Sequence, residues 1–352
     1  MASENIIKIL TLCSLSAFLA VSWTPLLTHF LYKYKLWRKS ARIKAIDGGP
    51  ATVFNQLHKD KEVSTPRMGG LLIWITTAFV IFLFAGLHKI FPNQYWIGKL
   101  DFLSRSQTWL PLGILIAGSL LGLGDDILTV IEKGKYVGGG IRFTRRFAVV
   151  LLIGLIGGFW FYFKLGWHTI HIPGNGDIEI GLLYLPLFVV TVLACWAGGV
   201  IDGLDGLAGG IFSIMFGAFS IIAYGNTQYD LAALCAVIAG STMAFLWFNI
   251  PPARFYMSET GSIGLTAVLA VVAFLTDSLL VLPIIAGLLV VEVGSIIIQL
   301  FSKRFLHKKI FLCTPIHHHL EAKGWSREKI TMRFWLINLV LAIIGVAIRL
   351  LG

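Results

Sequence analysis

Hydrophobic and polar positions run along this chain in long blocks, not in the short periods of a soluble domain. Ten apolar runs stand out, at roughly 6–31, 69–87, 109–124, 146–164, 181–200, 210–224, 231–248, 262–275, 280–300 and 333–350. Most approach the ~20 residues that carry a helix across a bilayer. The pattern therefore predicts an all-α polytopic membrane protein of about ten transmembrane helices. Such helices bury their backbone only in lipid or against one another, so 1–352 reads as a single integral membrane domain, with no linker, low-complexity segment or internal repeat. One stretch follows another period. Thr169-Ile170-His171-Ile172, a Pro173-Gly174-Asn175-Gly176 turn and Ile178-Glu179-Ile180 alternate with period two. That predicts a small external β-hairpin near 169–180, with its histidines on the surface.

Composition sharpens this picture: 57% of residues are hydrophobic, 13% are charged, and the mean hydropathy is +0.81. Soluble domains carry about a quarter charged residues. Of 29 Lys and Arg, 9 fall in 32–68, 5 in 125–146, 1 in 249–261 and 8 in 301–333. All four segments follow odd-numbered runs, so the positive-inside bias makes them cytoplasmic and puts both termini outside. The net charge of +11 thus sets orientation, and nucleic acid is not an expected partner. Basic loops at a bilayer attract anionic headgroups or a phosphorylated substrate instead. The first run precedes its positive cluster (Lys33, Lys35, Arg38, Lys39) and reads as a retained helix, not a signal peptide. Cys13, Cys195, Cys235 and Cys313 are scattered, which predicts neither a disulfide framework nor a zinc site.

Chemistry-bearing residues gather at the cytoplasmic ends of the runs. Asp125 and Asp126 end the third, where a helix C-terminus disfavours negative charge and calls for a cation. Adjacent residues diverge by about 100° on a helix, so one carboxylate can meet a metal while its neighbour meets another ligand. After the fifth run come Asp202, Gly203, Leu204 and Asp205, with two acids at i, i+3 and glycines that let backbone approach a ligand. After the seventh comes Glu259, flanked by Ser258 and Thr260, which could equally cap the next helix. Each acidic loop taken alone is also readable as a solvated or capped helix end. His317, His318 and His319 fan over about 200° on a helix and cannot converge on one ion. They suit contacts to phosphate oxygens. Glu292, inside an apolar run, marks either a functional site or a pairing with a neighbouring helix. Carboxylates without His/Cys ligand patterns favour a hard cation, most simply Mg²⁺ carrying substrate phosphates.

Four segments in this order between ten runs carry a resemblance: Asp125-Asp126; Asp202-Gly-Leu-Asp205-Gly; Met257-Ser-Glu259-Thr-Gly-Ser; and Pro315-Ile-His317-His318-His319-Leu-Glu-Ala-Lys-Gly-Trp325. The chain resembles the phospho-N-acetylmuramoyl-pentapeptide transferases, of the polyprenyl-phosphate N-acetylhexosamine-1-phosphate transferase superfamily. The resemblance runs from Thr65-Pro66-Arg67-Met68-Gly69-Gly70 to Arg333-Phe334-Trp335. It implies transfer of phospho-N-acetylmuramoyl-pentapeptide from UDP to undecaprenyl phosphate, giving lipid I and UMP with Mg²⁺, at the cytoplasmic face of a bacterial inner membrane. It also implies Asp125, Asp126 and Asp205 as catalytic, Asp125 and Glu259 as metal ligands, and Asp202, Gly203, Leu204, Tyr256, His317, His318, His319, Arg142 and Arg145 as substrate contacts. UDP-N-acetylmuramoyl-pentapeptide, undecaprenyl phosphate and the bilayer are the implied partners, with a homodimer left open.

This chain departs from the family's pattern at several of these positions. Ser258 and Glu259 stand where the family has Gly-Asp, Gly199 where it has Asn, Thr129 and Thr144 where it has Lys, and Tyr256 where it has Phe. Arg67 replaces a Thr, and Glu62 beside Lys61 stands where a Lys is usual. Three alternatives stay open at this point: a related UDP-N-acetylhexosamine sugar-1-phosphate transferase, a catalytically weakened paralogue, and a transporter.

Overall fold

The computed structural model describes residues 2–40, 63–133 and 140–352. Its helices are α1 (Ala2–Lys33), α2 (Leu71–Ile90), α3 (Tyr95–Leu100), α4 (Trp109–Val130), α5 (Phe143–Phe159), α6 (Tyr184–Ala197), α7 (Leu207–Gly225), α8 (Tyr229–Asn249), α9 (Ser258–Leu275), α10 (Leu282–Ile285), α11 (Gly287–Phe301), α12 (Ile316–Ala322) and α13 (Arg327–Leu351). Among the described residues nine helices are long and apolar enough to cross a membrane. The expected ninth run, 280–300, forms α10 and α11 with an interruption at Ala286 (φ −96°, ψ 28°), so it is a broken span and not one continuous helix. Pro283, in the first turn of α10, lacks the N–H that a longer helix would need there.

The hairpin forms where the alternation places it. β1 (Thr169–Ile172) pairs antiparallel with β2 (Gly176–Glu179), in the register Thr169↔Glu179 to Ile172↔Gly176. His171 lies 2.8 Å from the exposed Asp177 carboxylate, a surface pair. All four cysteines are free.

Helix α9 is the axis of the bundle. Its apolar residues run round the whole circumference, the mark of a helix buried on every side, and 94% of its spanning window is buried. Close packing against α4 fixes its height. Gly118 and Gly122, one turn apart on α4, face the backbone of Gly264 and of Glu259–Thr260, where any Cβ would collide. Small residues at four-residue spacing let membrane helices approach this closely. Gly70, at the start of α2, meets the Gly261 backbone in the same way. The start of α9 is thus clamped between α4 and the 63–70 segment, and all the acidic helix ends are drawn to one end of the bundle. Gly122→Ala pushes a methyl into the Glu259 carbonyl, and such overpacking costs ~1–3 kcal/mol. A lowered Tm of the detergent-solubilised protein is the expected result; an unchanged Tm would show that α4 can slide.

Candidate active site

Glu259 lies in the first turn of α9, which starts at Ser258, ahead of the apolar run at 262, and there its charge meets the positive end of the helix dipole. Ser258 and Thr260 do not cap this helix with their side chains. Their hydroxyls donate to Asp126 Oδ2 at 2.8 and 2.6 Å, and the Thr260 N–H donates to the same oxygen at 2.9 Å. Asp126 therefore caps α9 from the end of another helix. Its Oδ1 receives Arg67 Nε at 2.9 Å and Nη2 at 2.9 Å, and its side chain is fully buried. A carboxylate offers about four lone-pair sites, and these donors saturate them. The cation expected beside the paired acids is present: Arg67.

Asp125 points elsewhere, as the divergence of adjacent residues requires. Its Oδ1 accepts the Ile141 N–H at 2.7 Å, and Gly140 packs so closely on the carboxylate that no Cβ would fit. Its Oδ2 lies 3.8 Å from Arg146 Nη1, which also donates to Glu259 Oε1 at 2.6 Å. Two carboxylates from different helices thus flank one positive charge, and Glu259, with 31% of its side chain exposed, is the more open. Among the described residues no three His, Cys, Asp or Glu side chains form a cluster able to hold a metal. The donor set that fits a hard cation is this pair.

The 202–205 loop forms the adjoining wall. Asp202 Oδ2 accepts the Ser258 N–H at 2.7 Å. Burial pushes its carboxyl up to about 6, while that N–H and Arg67 favour the ionised form. Asp205 is buried, accepts the Ala253 N–H at 3.3 Å, and through its carbonyl takes the Thr331 hydroxyl. Gly206 adopts φ +79°, and its N–H donates to the buried Asn249, which also holds the Phe255 carbonyl. Burial raises the Tyr256 phenol to about 12, so it is neutral. The Leu204 side chain is buried in the core behind this loop.

The three histidines take three directions. His317 Nδ1 lies 2.9 Å from Glu292 Oε2, both side chains being fully buried, so Glu292 has the polar partner from another element that was one of its two readings. The His317 ring also covers Gly203, leaving no room for a side chain there. His318 meets Glu321 at 3.1 Å, and Glu321 accepts Arg327 Nε at 2.6 Å. His319 accepts the Leu312 N–H, and partial burial with Lys323 nearby lowers its basicity.

Arg142 and Arg145 are exposed at the start of α5. Arg146 is the residue of that helix that reaches the acids, four positions after Arg142 on the same helix face. Sequence reasoning passed over Arg146, Asn249 and the hydroxyls of Ser258 and Thr260, because nothing local shows which way they turn. Lys61 and Glu62 lie outside the described residues. Gly199 has ordinary room toward Ser262, with its missing Cβ 3.6 Å from that side chain.

Residues 108–277 match the family model described as glycosyl transferase family 4. A phospho-N-acetylmuramoyl-pentapeptide-transferase of Geobacillus thermodenitrificans is 33% identical over 339 residues, 96% of each chain. A protein of the same name from Lactiplantibacillus plantarum is 35% identical over 295 residues, covering 82% of this chain and 85% of its own. Another from Bartonella quintana is 33% identical over 320 residues, covering 85% of this chain and 82% of its own.

Proposed function

This chain belongs to the phospho-N-acetylmuramoyl-pentapeptide-transferase family, and on that footing we propose that it moves phospho-N-acetylmuramoyl-pentapeptide from UDP to undecaprenyl phosphate at the cytoplasmic face of a bacterial inner membrane. The observation that carries this reading is the convergence of Asp125 and Glu259, from α4 and α9, on one positive charge at the end of the bundle where the acidic loops meet. Asp125 and Glu259 would hold Mg²⁺, which when bound neutralises the substrate diphosphate. Arg146 then exchanges its carboxylate partners for phosphate oxygens. Asp202, Gly203 and Tyr256 form the nucleoside end, with His317 over Gly203 and the Leu204 side chain anchoring the loop in the core instead of meeting substrate. Asp205 braces that loop against 250–254 and α13.

A phosphate monoester has its second pKa near 6, so the lipid phosphate is already an anionic nucleophile at neutral pH. Its oxygen attacks the sugar-linked phosphorus and the bond to the UMP phosphate breaks. UMP leaves, and the lipid diphosphate-linked sugar remains. Phosphoryl transfer of this kind asks the protein mainly for positioning and charge neutralisation. Purified protein with Mg²⁺, undecaprenyl phosphate and UDP-N-acetylmuramoyl-pentapeptide should release UMP, and UDP-N-acetylglucosamine should not replace the donor. Release from the N-acetylglucosamine donor alone would move the chain to the related branch. No release from either would make it a weakened paralogue.

A further inference from the structure

Arg67 and Ser258 stand far apart in the chain yet meet on one side chain, Asp126, each on a different oxygen. With the two donors of Thr260 they leave Asp126 no lone pair for an ion, so its work in this protein is to hold its neighbours. The arginine is held in an unequal way. A guanidinium is a planar fork of five N–H groups. Asp126 takes the side edge, Nε and Nη2, both on the same oxygen. The end edge, made of Nη1 and the second Nη2 hydrogen, makes no hydrogen bond to any described residue. The Arg67 side chain keeps 17% of its surface open. The Arg67 charge also lies within the field of Asp125 and Glu259, the two acids that flank the candidate cation position.

We propose that Arg67 is a phosphate-binding residue of this site: Asp126 holds the side edge of its guanidinium, and the end edge receives a phosphate oxygen. The proposal rests on the transferase reading above. The oxygen comes either from the nucleotide diphosphate or from the lipid phosphate, the two phosphates such a site must accept. Asp126 is then a positioning residue, and Ser258, in a left-handed conformation (φ +51°), keeps its hydroxyl on the second oxygen.

The test uses the full chain in detergent micelles. A single Arg67→Gln change strands a buried carboxylate and can unfold the protein, so Arg67→Gln/Asp126→Asn, which stays neutral and hydrogen-bonded, is prepared beside it. Arg67→Lys, which keeps a charge without the fork, is the third variant. With a Tm matching wild type, the double variant should raise the KM for one substrate at least about tenfold, the range of a charge-assisted hydrogen bond. The substrate whose KM rises identifies the phosphate. Arg67→Lys should recover part of that loss. Both KM values within about twofold of wild type in the folded double variant would overturn the proposal and leave Arg67 a structural partner. If wild type releases no UMP from either donor, the transferase reading fails separately. Binding of UDP and of undecaprenyl phosphate in EDTA, each compared with its phosphate-free counterpart, uridine or undecaprenol, then still decides: the double variant must lose affinity for one of the two phosphates and keep affinity for both counterparts.

Discussion

Asp125→Asn is expected to lower UMP release at least about a hundredfold under saturating substrates, or ~2.8 kcal/mol of barrier at about 1.4 kcal/mol for each tenfold. The amide keeps an acceptor for the Ile141 N–H, so the turn at Gly140 and Ile141 should survive. What disappears is charge, and Asp125 is one of the two carboxylates that, among the described residues, flank Arg146 Nη1. Without it, neither a divalent cation nor the guanidinium is held against the diphosphate with a second acid. An unchanged Tm with abolished turnover would place the effect in the chemistry. Retention of more than about a tenth of the wild-type rate would reduce Asp125 to a helix-end residue that organises the following loop.

The effect at Glu259 should depend on which change is made. Glu259→Gln removes the charge at the more open of these two carboxylates and should eliminate activity at any Mg²⁺ concentration. Glu259→Asp keeps the charge but retracts it by one methylene, away from Arg146. Mg²⁺ wants near-octahedral oxygens at about 2.0–2.1 Å, so the shorter side chain should retain activity with an altered preference between Mg²⁺ and Mn²⁺. A metal titration of both variants reads this directly. Full activity in Glu259→Gln would return this residue to a charge that only favours the start of α9.

The membrane architecture was legible because lipid leaves few solutions: apolar runs of spanning length gave the helices, and period-two alternation gave the hairpin, although its second strand starts at Gly176, inside the expected turn, and ends at Glu179. The ninth run misled in one respect, since composition measures apolarity and not continuity, and the break at Ala286 depends on packing. The acids were legible as a group, and the divergence of Asp125 from Asp126 followed from helix geometry alone. Their separate partners were not. Ser258 and Thr260 look like caps for their own helix, and only the close approach of α4 to α9 turns them toward Asp126. For the same reason Arg67 read as a departure in one motif and Ser258 as a departure in another, with nothing local to show that they share a carboxylate.

The segments that begin α2 and α9 are joined by more than that carboxylate. Tyr256 N–H donates to the Pro66 carbonyl, Gly69 N–H to the Tyr256 carbonyl, Gly70 N–H to the Met257 carbonyl, and Met68 N–H to the Ser258 hydroxyl. Met68 and Ser258, both non-glycine, take positive φ within this ladder, each a conformation that costs about 1–2 kcal/mol. For anyone building chimaeras between this chain and its relatives, residues 65–70 and 256–260 are consequently one exchangeable cassette, although six helices of spanning length lie between them in the sequence. Transplanting either half alone would join a left-handed turn to a partner not shaped for it; moving both together carries the fit along.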